Sequence, residues 1–491
     1  GGKKFNSKKT NHETLLYSIA DDLLKNKGKS LIVCGSDNKS LQIIVNKINM
    51  MLNNYGKTIF TGLQSNLFSS NDNDITDLIE DMKNGRVDIV MFLDTNPAYT
   101  LPGSLEFTNA IKNVSTRISF SESLDETAKL CDYVCPNSNY LESWGDLQPY
   151  SGTYYLQQPT ITPIFNSRQV QESFLIWSKS STTYLDFLKS FFKTITTKSW
   201  NKVLHDGYVN LNFDNSEIPY LSKNLNIALD DLFEKSGGIE LELYVKGSLG
   251  QGLYSNNPWL QELPDVISKV TWDNYLTISP THAKELGVAN WHVSNGALDG
   301  HMVNLVAGGK SMKCPVYIQP GQAHGVLGLA FGYGRTETGK AGKNIGVNAY
   351  EFYQGFDKLS TTDVFIEVVS GKHEFACTQN SHTMMGRNIV KETNLSDYLV
   401  DNKSGNKQFL LHSHKGHVKP NDLTLWKEHE RDVHFWNMSI DLNSCTGCGA
   451  CVIACHAENN VPVVGKEEVR KNRDMHWLRI DRYYSSDMTK E

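Results

Sequence analysis

The sequence predicts a multidomain protein of the α/β plus β class, with a small cysteine-rich part at its end. Three observations predict this class. Short apolar strands alternate with helix-period stretches up to about residue 205, many short strands with glycine turns follow residue 240, and four closely spaced cysteines lie near the end. A chain of 491 residues is also too long for one hydrophobic core, so we expect about three domains.

Changes in this pattern set the expected boundaries. An α/β sheet domain covers residues 1–205, and a polar connector covers 206–240. A β domain with a polar tail covers 241–430, and the start of a small cysteine-rich domain covers 431–491.

In the first part, helix-period spacing predicts helices at 15–24 and 41–52 and a capped helix start at 123–126, and apolar runs predict strands at 29–35, 87–93, 116–120 and 133–136. Strands that alternate with helices form a parallel sheet whose strand C-termini face ligands. Asn96 and Pro97 lie at such an end, where a plain turn and a ligand pocket are equally good explanations. Residues 136–168 lose periodicity and predict a long ordered loop with a function.

The connector contains one predicted helix, at 224–233. The β domain is predicted from strands at 241–245, 275–279, 302–306, 314–319 and 364–369, with one short helix at 281–287 closed by Gly287. Many short strands and glycine turns favour a barrel. In the last part, 436–441 and 477–484 have the alternation of strands.

The four cysteines of the last part are Cys445, Cys448, Cys451 and Cys455, spaced C-x2-C-x2-C-x3-C. This is the bacterial ferredoxin spacing, in which a tight loop aims thiolates at a [4Fe–4S] cluster. A zinc site or structural thiols are the alternative, but zinc sites pair a C-x2-4-C step with a distant second pair. The spacing therefore predicts that these four thiolates bind the iron of [4Fe–4S] clusters.

Two glycines lie inside this loop. Gly447 and Gly449 give the loop access to positive φ, and they let backbone N–H groups turn toward the anionic sulfides. In two-cluster ferredoxins the fourth cysteine ligates the other cluster. Cys455 would then leave the first cluster without its fourth ligand.

The remaining cysteines show no cluster spacing; they are Cys34, Cys131, Cys135, Cys314 and Cys377. Two clusters need roughly eight thiols. We therefore expect the polypeptide to be a piece of a longer one.

Composition excludes several function classes. A net charge of −6 and the lack of a basic face with interleaved aromatics argue against a nucleic-acid partner. No run of about 18 apolar residues is present, so no membrane-spanning segment is predicted. Nine cysteines in a chain of this length do not form a disulfide scaffold, and the start has no signal-peptide pattern.

Three weaker motifs have plainer explanations. Residues 334–341 nearly match a P-loop, but Ala341 replaces the Mg²⁺-binding Ser or Thr, so a glycine-rich loop is favoured over nucleotide binding. A further motif, His412, His414 and His417, could bind a metal, but a solvated loop is favoured. Cys131 and Cys135 are best explained as buried, inert thiols.

Several passages resemble the molybdopterin oxidoreductases and their iron–sulfur subunits. These are DTNPAYTLP at 94–102, CDYVCP at 131–136 with YLESWGD at 140–146, LTISPTHAKELG at 276–287, CHAENNVPVVG at 455–465 and RDMHWLRIDRY at 473–483. The two modules on one chain resemble the large iron–sulfur subunit (ActB) family of alternative complex III, a bacterial quinol:electron-acceptor oxidoreductase.

This resemblance implies a fold, cofactors, partners and a location. It implies a molybdopterin oxidoreductase-like α/β domain, a barrel domain of the same type and a partial ferredoxin-like domain. It implies further clusters from sequence beyond Glu491, with [3Fe–4S] as one candidate type, and no molybdenum cofactor. It also implies a periplasmic, peripheral place on the bacterial inner membrane. The partners would be a membrane quinol-binding subunit and multihaem and monohaem cytochrome c subunits, with a terminal oxidase as a further candidate.

Three functions are consistent with the sequence. The first is a non-catalytic electron relay from quinol oxidation to c-type haems. The second is a catalytic molybdopterin-dependent oxidoreductase with an attached ferredoxin module, whose pterin would be lined by loops at Asn96, Trp144 and 324–335. The third is an assembly module with a structural, redox-silent cluster. The first two functions differ in what they predict for these loops: an open cavity favours the catalytic enzyme, and loops filled by their own side chains favour the relay.

Overall fold

The fold was analysed in a computed structural model. It describes residues 10–36, 38–60, 62, 65–67, 70–211, 225–233, 238–356, 358–387, 389–406, 408–427, 429–430 and 432–485.

The α-helices of the described residues are mostly short. In chain order they are α1 Glu13–Lys25, α2 Lys39–Met51, α3 Asp72–Lys83, α4 Pro97–Thr100, α5 Phe107–Ala110, α6 Val170–Trp177, α7 Tyr184–Ile195, α8 Trp200–Asp206, α9 Leu225–Phe233, α10 Pro258–Glu262, α11 Pro280–Leu286, α12 Leu395–Val400, α13 Ala450–Asn459 and α14 Lys466–Arg470. None of them is long and apolar enough to cross a membrane.

The strands are more numerous after residue 240. They are β1 Ile89–Phe92, β2 Thr116–Ser119, β3 Tyr133–Val134, β4 Gly145–Tyr150, β5 Thr153–Gln157, β6 Tyr208–Asn210, β7 Glu240–Tyr244, β8 Val270–Thr271, β9 Leu276–Ile278, β10 Asn290–Ser294, β11 Ala297–Ala307, β12 Lys310–Ile318, β13 Val326–Ala330, β14 Ser360–Thr361, β15 Val364–Cys377, β16 Leu411–Ser413 and β17 Gly416–Val418.

Local sequence explains where several helices begin. The side chains of Asn38, Thr183, Ser199 and Ser279 each accept a hydrogen bond from a backbone N–H in the first turn of α2, α7, α8 and α11. Such residues satisfy the donors that a helix leaves unpaired at its start. Gly287 ends α11 in the left-handed conformation, φ 67°, which confirms the predicted stop.

The chain divides into two compact units. The first unit falls within residues 1–257, 273–289 and 301–371, and the second within 258–272, 290–300 and 372–491.

In the first unit, β1, β2 and β3 form the expected parallel sheet, with Ile89 opposite Thr116 and Ile118 opposite Tyr133. One face of β1 packs on α3, where Ile79 and Met82 are buried. A second, antiparallel sheet joins β4, β5 and β6.

The barrel expected for 241–430 is not found in the described residues. In the first unit the strands pair along an open path, β14-β7-β13-β9-β12-β11. Its core is apolar and includes Leu241, Leu276 and Val316. Short strands and glycine turns occur in open mixed sheets as well as in barrels, so this pattern alone does not determine closure.

Two expected strands have no regular structure, because amide side chains replace a neighbouring strand. In 29–35, the backbone of Ile32 exchanges both hydrogen bonds with Asn49, at 3.0 and 2.8 Å. In 477–484, the backbone of Arg482 does the same with Gln379, at 2.9 and 2.8 Å. An alternating sequence indicates that one side of the segment is buried. In these two segments it does not indicate hydrogen bonding to a neighbouring strand.

Three smaller expectations are corrected. The helix start at 123–126 is instead a turn in which Asp125 accepts the N–H of Ala128 at 2.8 Å, and a 3₁₀ turn follows. The loop 136–168 contains the β4–β5 hairpin. The strand-like 436–441 is irregular. The connector helix is present as α9.

In the second unit, β10 pairs with residues 297–300 of β11, and β8 pairs with Ala376 and Cys377 at the end of β15. Helix α10 contacts α13. The hairpin β16–β17 places His412 opposite His417.

Candidate metal centre

The four predicted cluster cysteines lie in one loop and the helix that follows it. Cys445 and Cys448 precede α13, and Cys451 and Cys455 are on it. Cys445, Cys448 and Cys451 are exposed, and Cys455 is half-buried. The thiols are therefore available to a metal group rather than packed into a core.

The two glycines of the loop have the predicted backbone. Gly447 has φ 70° and Gly449 has φ 78°, both in the left-handed region that favours glycine. A Cβ at Gly449 would also lie 2.8 Å from the Cδ1 of Leu263. Gly449 is the residue that caps α13, so a side chain here would require Leu263 to move and would be strained at this φ.

Backbone groups favour the thiolate at the centre of the run. Hydrogen bonding from the N–H of Ala450, and then from the Thr446 side chain, lowers the pKa of Cys448. The start of a helix stabilises negative charge because its first N–H groups have no partner within the helix. Iron binds the thiolate form, so this loop is prepared for a metal group.

The chemistry of the donor set, four thiols in a ferredoxin-type spacing, fits an iron–sulfur cluster. In the part of the chain that the structure describes, no three His, Cys, Asp or Glu side chains are grouped to hold a metal ion. When bound, a [4Fe–4S] group would supply one-electron chemistry, held by Cys445, Cys448, Cys451 and Cys455.

Helix α13 is attached by its buried face and by the loop after it. Val452 and His456 are buried on one side of the helix. The indole N–H of Trp259 donates to the carbonyl of Val461 at 2.8 Å. His456, which follows the predicted ligand Cys455, has its Nε2 atom 3.1 Å from His476 Nδ1. These contacts fix where the cysteine helix sits in its unit.

Glu262 is a second anchor for this loop. Its carboxylate accepts hydrogen bonds from the backbone N–H groups of Val464 and Gly465, the latter at 2.8 Å, and from the Trp272 indole at 3.1 Å. Burial raises the pKa of Glu262, and the hydrogen bonds of Gly465 and Val464 oppose that shift. Glu262 lies far upstream, and no sequence spacing indicated its role.

A cavity opens beside the cysteine loop. Gly447, Gly449, Lys269, Arg479 and Asp481 are among the residues that line it. Lys269 is 2% exposed and adopts φ 61°, in the left-handed region. Burial, and then nearby Arg482, lower the pKa of its ammonium.

In the first unit, the candidate pterin loops are occupied by their own polar side chains. The carboxylate of Glu126 accepts hydrogen bonds from Asn96 at 2.7 Å and from Arg335 at 2.7 to 3.0 Å. The side-chain oxygen Oδ1 of Asn96 accepts the Thr127 hydroxyl at 2.7 Å. Asn96 and Arg335 thus share Glu126 as a partner, and these polar groups are paired with it in the structure.

The other two candidate pterin residues have separate contacts. Trp144 packs near Trp200, with ring centroids 6.2 Å apart. His324 lies 2.8 Å from the carboxylate of Glu285. Glu126 was missed by sequence reasoning, since a lone acid in a turn carries no motif.

The weaker motifs acquire no functional geometry in the described residues. Residues 334–341 form turns without a following helix, so the P-loop context is lacking there. The rings of His412 and His417 are 3.9 Å apart, while His414 is in the hairpin turn. The Cys131 thiol donates to the Thr127 carbonyl, and burial raises its pKa to about 11.

Comparison with known proteins agrees with both modules. Residues 436–457, which contain all four cysteines, match the 4Fe-4S binding domain family. Two subunits of the menaquinone reductase of Nitratidesulfovibrio vulgaris are similar to this chain. The iron-sulfur cluster-binding subunit is 49% identical over 43 residues, 9% of this chain and 16% of that protein. The molybdopterin-binding-like subunit is 31% identical over 90 residues, 18% of this chain and 13% of that protein. The chain is a molybdopterin oxidoreductase-like protein with a 4Fe–4S ferredoxin domain.

Two further likenesses were found for this molybdopterin oxidoreductase-like protein. The arsenate respiratory reductase iron-sulfur subunit ArrB of Chrysiogenes arsenatis is 56% identical over 25 residues, which is 5% of this chain and 83% of that protein. Acetylene hydratase from Pelobacter acetylenicus superposes with a TM-score of 0.41 and 14% identity, over 61% of this chain and 46% of that one. The chain thus spans about a sixth or less of the menaquinone reductase subunits it matches.

Proposed function

We propose that this protein is an iron–sulfur electron-transfer subunit of a quinol-oxidising membrane complex of the alternative complex III type. The observation that carries the proposal is the exposed run of four cysteines at the start of α13, on a chain that also has a molybdopterin oxidoreductase-like part. Electrons from a membrane quinol-binding subunit would pass through its clusters to multihaem and monohaem cytochromes c, at the periplasmic face. A terminal oxidase is a further candidate acceptor.

The first unit supports a scaffold role in this proposal. Glu126 pairs with both Asn96 and Arg335 at the loops that would line a pterin in the catalytic alternative. Buried polar groups that are already paired would have to break those bonds to bind a cofactor. The relay therefore does not need a molybdenum cofactor, and the molybdopterin oxidoreductase-like part serves as a docking surface.

The similarity to subunits named for menaquinone reductase leaves the direction of electron flow open to experiment. Quinol oxidation and quinone reduction use the same relay with opposite driving force. Midpoint potentials measured against the quinone pool distinguish them, because electrons leave the quinol only toward a cluster of comparable or higher potential.

The decisive experiment is the iron, molybdenum and tungsten content of the native particle per copy of this chain. The relay predicts abundant iron and no molybdenum or tungsten. Stoichiometric molybdenum would replace it with the catalytic oxidoreductase. A cluster whose oxidation state no reductant changes would support the third function, an assembly module with a structural cluster.

A ligand variant assigns the iron to the loop. Cys448→Ser should lower the iron per chain and alter the electron paramagnetic resonance spectrum of the reduced protein. Cys34→Ser is the matched control, because Cys34 lies outside the run in the first unit. Equal iron content per chain in both variants would show that this loop does not bind the cluster.

A further inference from the structure

Lys269 is held in place by a turn built for it. The Asp265 carboxylate accepts the N–H groups of Ile267 and Ser268 at 3.0 and 2.9 Å and the Ser268 hydroxyl at 3.0 Å. The backbone of Lys269 then bonds to the Asp265 carbonyl and to the N–H of Thr378. A non-glycine residue with φ 61° carries a conformational cost, which this turn offsets.

The turn places the long cationic side chain of Lys269 in a buried position, where charged side chains are rare. Lys269 is 2% exposed and lines the cavity that the backbone of Gly447 and Gly449 also lines. A buried ammonium needs an anionic partner to offset its lost hydration. Asp481 and Asp265 supply part of that compensation, and the cysteine loop would add to it when it holds an anionic cluster.

The charges around this cavity are positive on balance. Arg479 is the second cation in its wall, and it donates to the Asp481 carboxylate at 3.1 Å. Arg482 and Asp265 also act on Lys269 electrostatically, so three cations face two carboxylates here. A cluster bound by thiolates is anionic, and each electron that it accepts adds negative charge.

We propose that Lys269 is a tuning residue that raises the reduction potential of the cluster held by this loop. The inference rests on the proposed function, since it assumes a redox-active cluster there. A fixed positive charge near the cluster stabilises the reduced form more than the oxidised form, and burial keeps water from screening it. Lys269 thus makes this cluster an easier acceptor for electrons from a quinol.

The test compares the full-length Lys269→Met and Lys269→Arg variants in a redox titration followed by electron paramagnetic resonance. Lys269→Met should lower the equilibrium constant for reduction about tenfold, which is about 59 mV for a one-electron couple. Lys269→Arg keeps the charge and should stay close to the parent protein. Lys415→Met, at the exposed turn of the β16–β17 hairpin, is the control, and the reduction potential of this variant should equal that of the parent protein.

Iron content separates the failure of this inference from failure of the proposed function. A Lys269→Met protein with full iron and an unshifted potential overturns the tuning role while the relay stands. If Lys269→Met loses iron and Lys269→Arg keeps it, the charge is required to hold the anionic cluster, which supports the placement. Loss of iron from both variants, with lower melting temperatures, makes Lys269 a folding residue and overturns the inference. A parent protein without redox-active iron overturns the proposed function itself.

Discussion

Glu126→Gln tests whether the buried ion pair organises the first unit. The Glu126 carboxylate and the Arg335 guanidinium are 12% and 5% exposed, with Nη2 to Oε2 at 2.7 Å. The Oε1 atom also accepts the N–H groups of Thr336 and Glu337 at 3.0 and 3.1 Å. Glutamine keeps the shape and can still accept from those two amides through its oxygen. Its NH2 group replaces the oxygen that accepts from Asn96 and from Arg335 Nη2, so the variant removes the charge and those two hydrogen bonds.

The expected loss is large because the partner charge stays buried. Removing one member of a buried ion pair costs about 3–5 kcal/mol of unfolding free energy. The double variant Glu126→Gln/Arg335→Met removes both charges and should recover part of that loss. Arg335 also donates to the carbonyls of Gly252 and Glu337 at 2.6 and 3.1 Å, so about 1 kcal/mol for each lost bond should remain.

The effect should depend on pH with a defined sign. Burial alone would raise the pKa of Glu126, but hydrogen bonds from Arg335 and Asn96 outweigh it, and the pKa is lower than usual. A carboxyl with a lowered pKa stabilises the folded protein above its ordinary pKa of about 4.3 and loses that effect as pH falls through the lowered value. The difference in unfolding free energy between the parent protein and Glu126→Gln should therefore become smaller as the pH falls into the acidic range.

The assay is urea denaturation at neutral and acidic pH, with hydrogen exchange of a peptide covering 334–345 as a local reading. Asp21→Asn is the control, because the Asp21–Lys25 pair is exposed and such pairs contribute little. The reasoning fails if Glu126→Gln unfolds at the same urea concentration as Asp21→Asn. It also fails if the double variant is less stable than the single one.

Two further changes test the second unit. Glu262→Ala leaves three donors without an acceptor and should cost about 1–3 kcal/mol of unfolding free energy, measured by urea denaturation. Glu262→Gln should cost less, because the raised pKa of Glu262 indicates that its surroundings favour an uncharged side chain. Equal losses of unfolding free energy in the two variants would contradict this. Gly296→Ala would drive a Cβ into the Val469 carbonyl and to 2.9 Å from the Arg470 carbonyl, so it should lower the melting temperature. Gly247→Ala, where a Cβ meets open space, is its control, and similar melting of both would contradict the packing.

The sequence predicted well the elements that a short segment specifies. The left-handed backbone of Gly447 and Gly449 and the individual strands β1 to β3 are examples. The two missed strands lie where a side chain replaces a backbone partner. Asn49 pairs with Ile32 from 17 residues away, and Gln379 pairs with Arg482 from 103 residues away. An apolar alternating segment looks the same in both situations.

The same limit applies to the buried ion pair of the first unit and to the supports of the candidate metal centre. Glu126 and Arg335 are 209 residues apart, and the Glu262 carboxylate reaches Gly465 across 203. A signal for Lys269 was present, however, since it is a charged residue inside the otherwise uncharged stretch 266–272. Charged residues in such positions are buried only when something compensates them.

Ligand identity and redox behaviour are therefore encoded in different parts of this chain. Four thiols within one loop and helix make up the predicted iron site, and this information is local. The potential of an iron–sulfur cluster depends on charge, hydrogen bonds and solvent access around it, and those come from segments such as 262–269 that lie far away in sequence. Two chains with the same cysteine run can thus carry electrons at different potentials. Under the proposed function, electron transfer from a quinol to this chain would therefore depend on Lys269 and its neighbours as well as on the four cysteines.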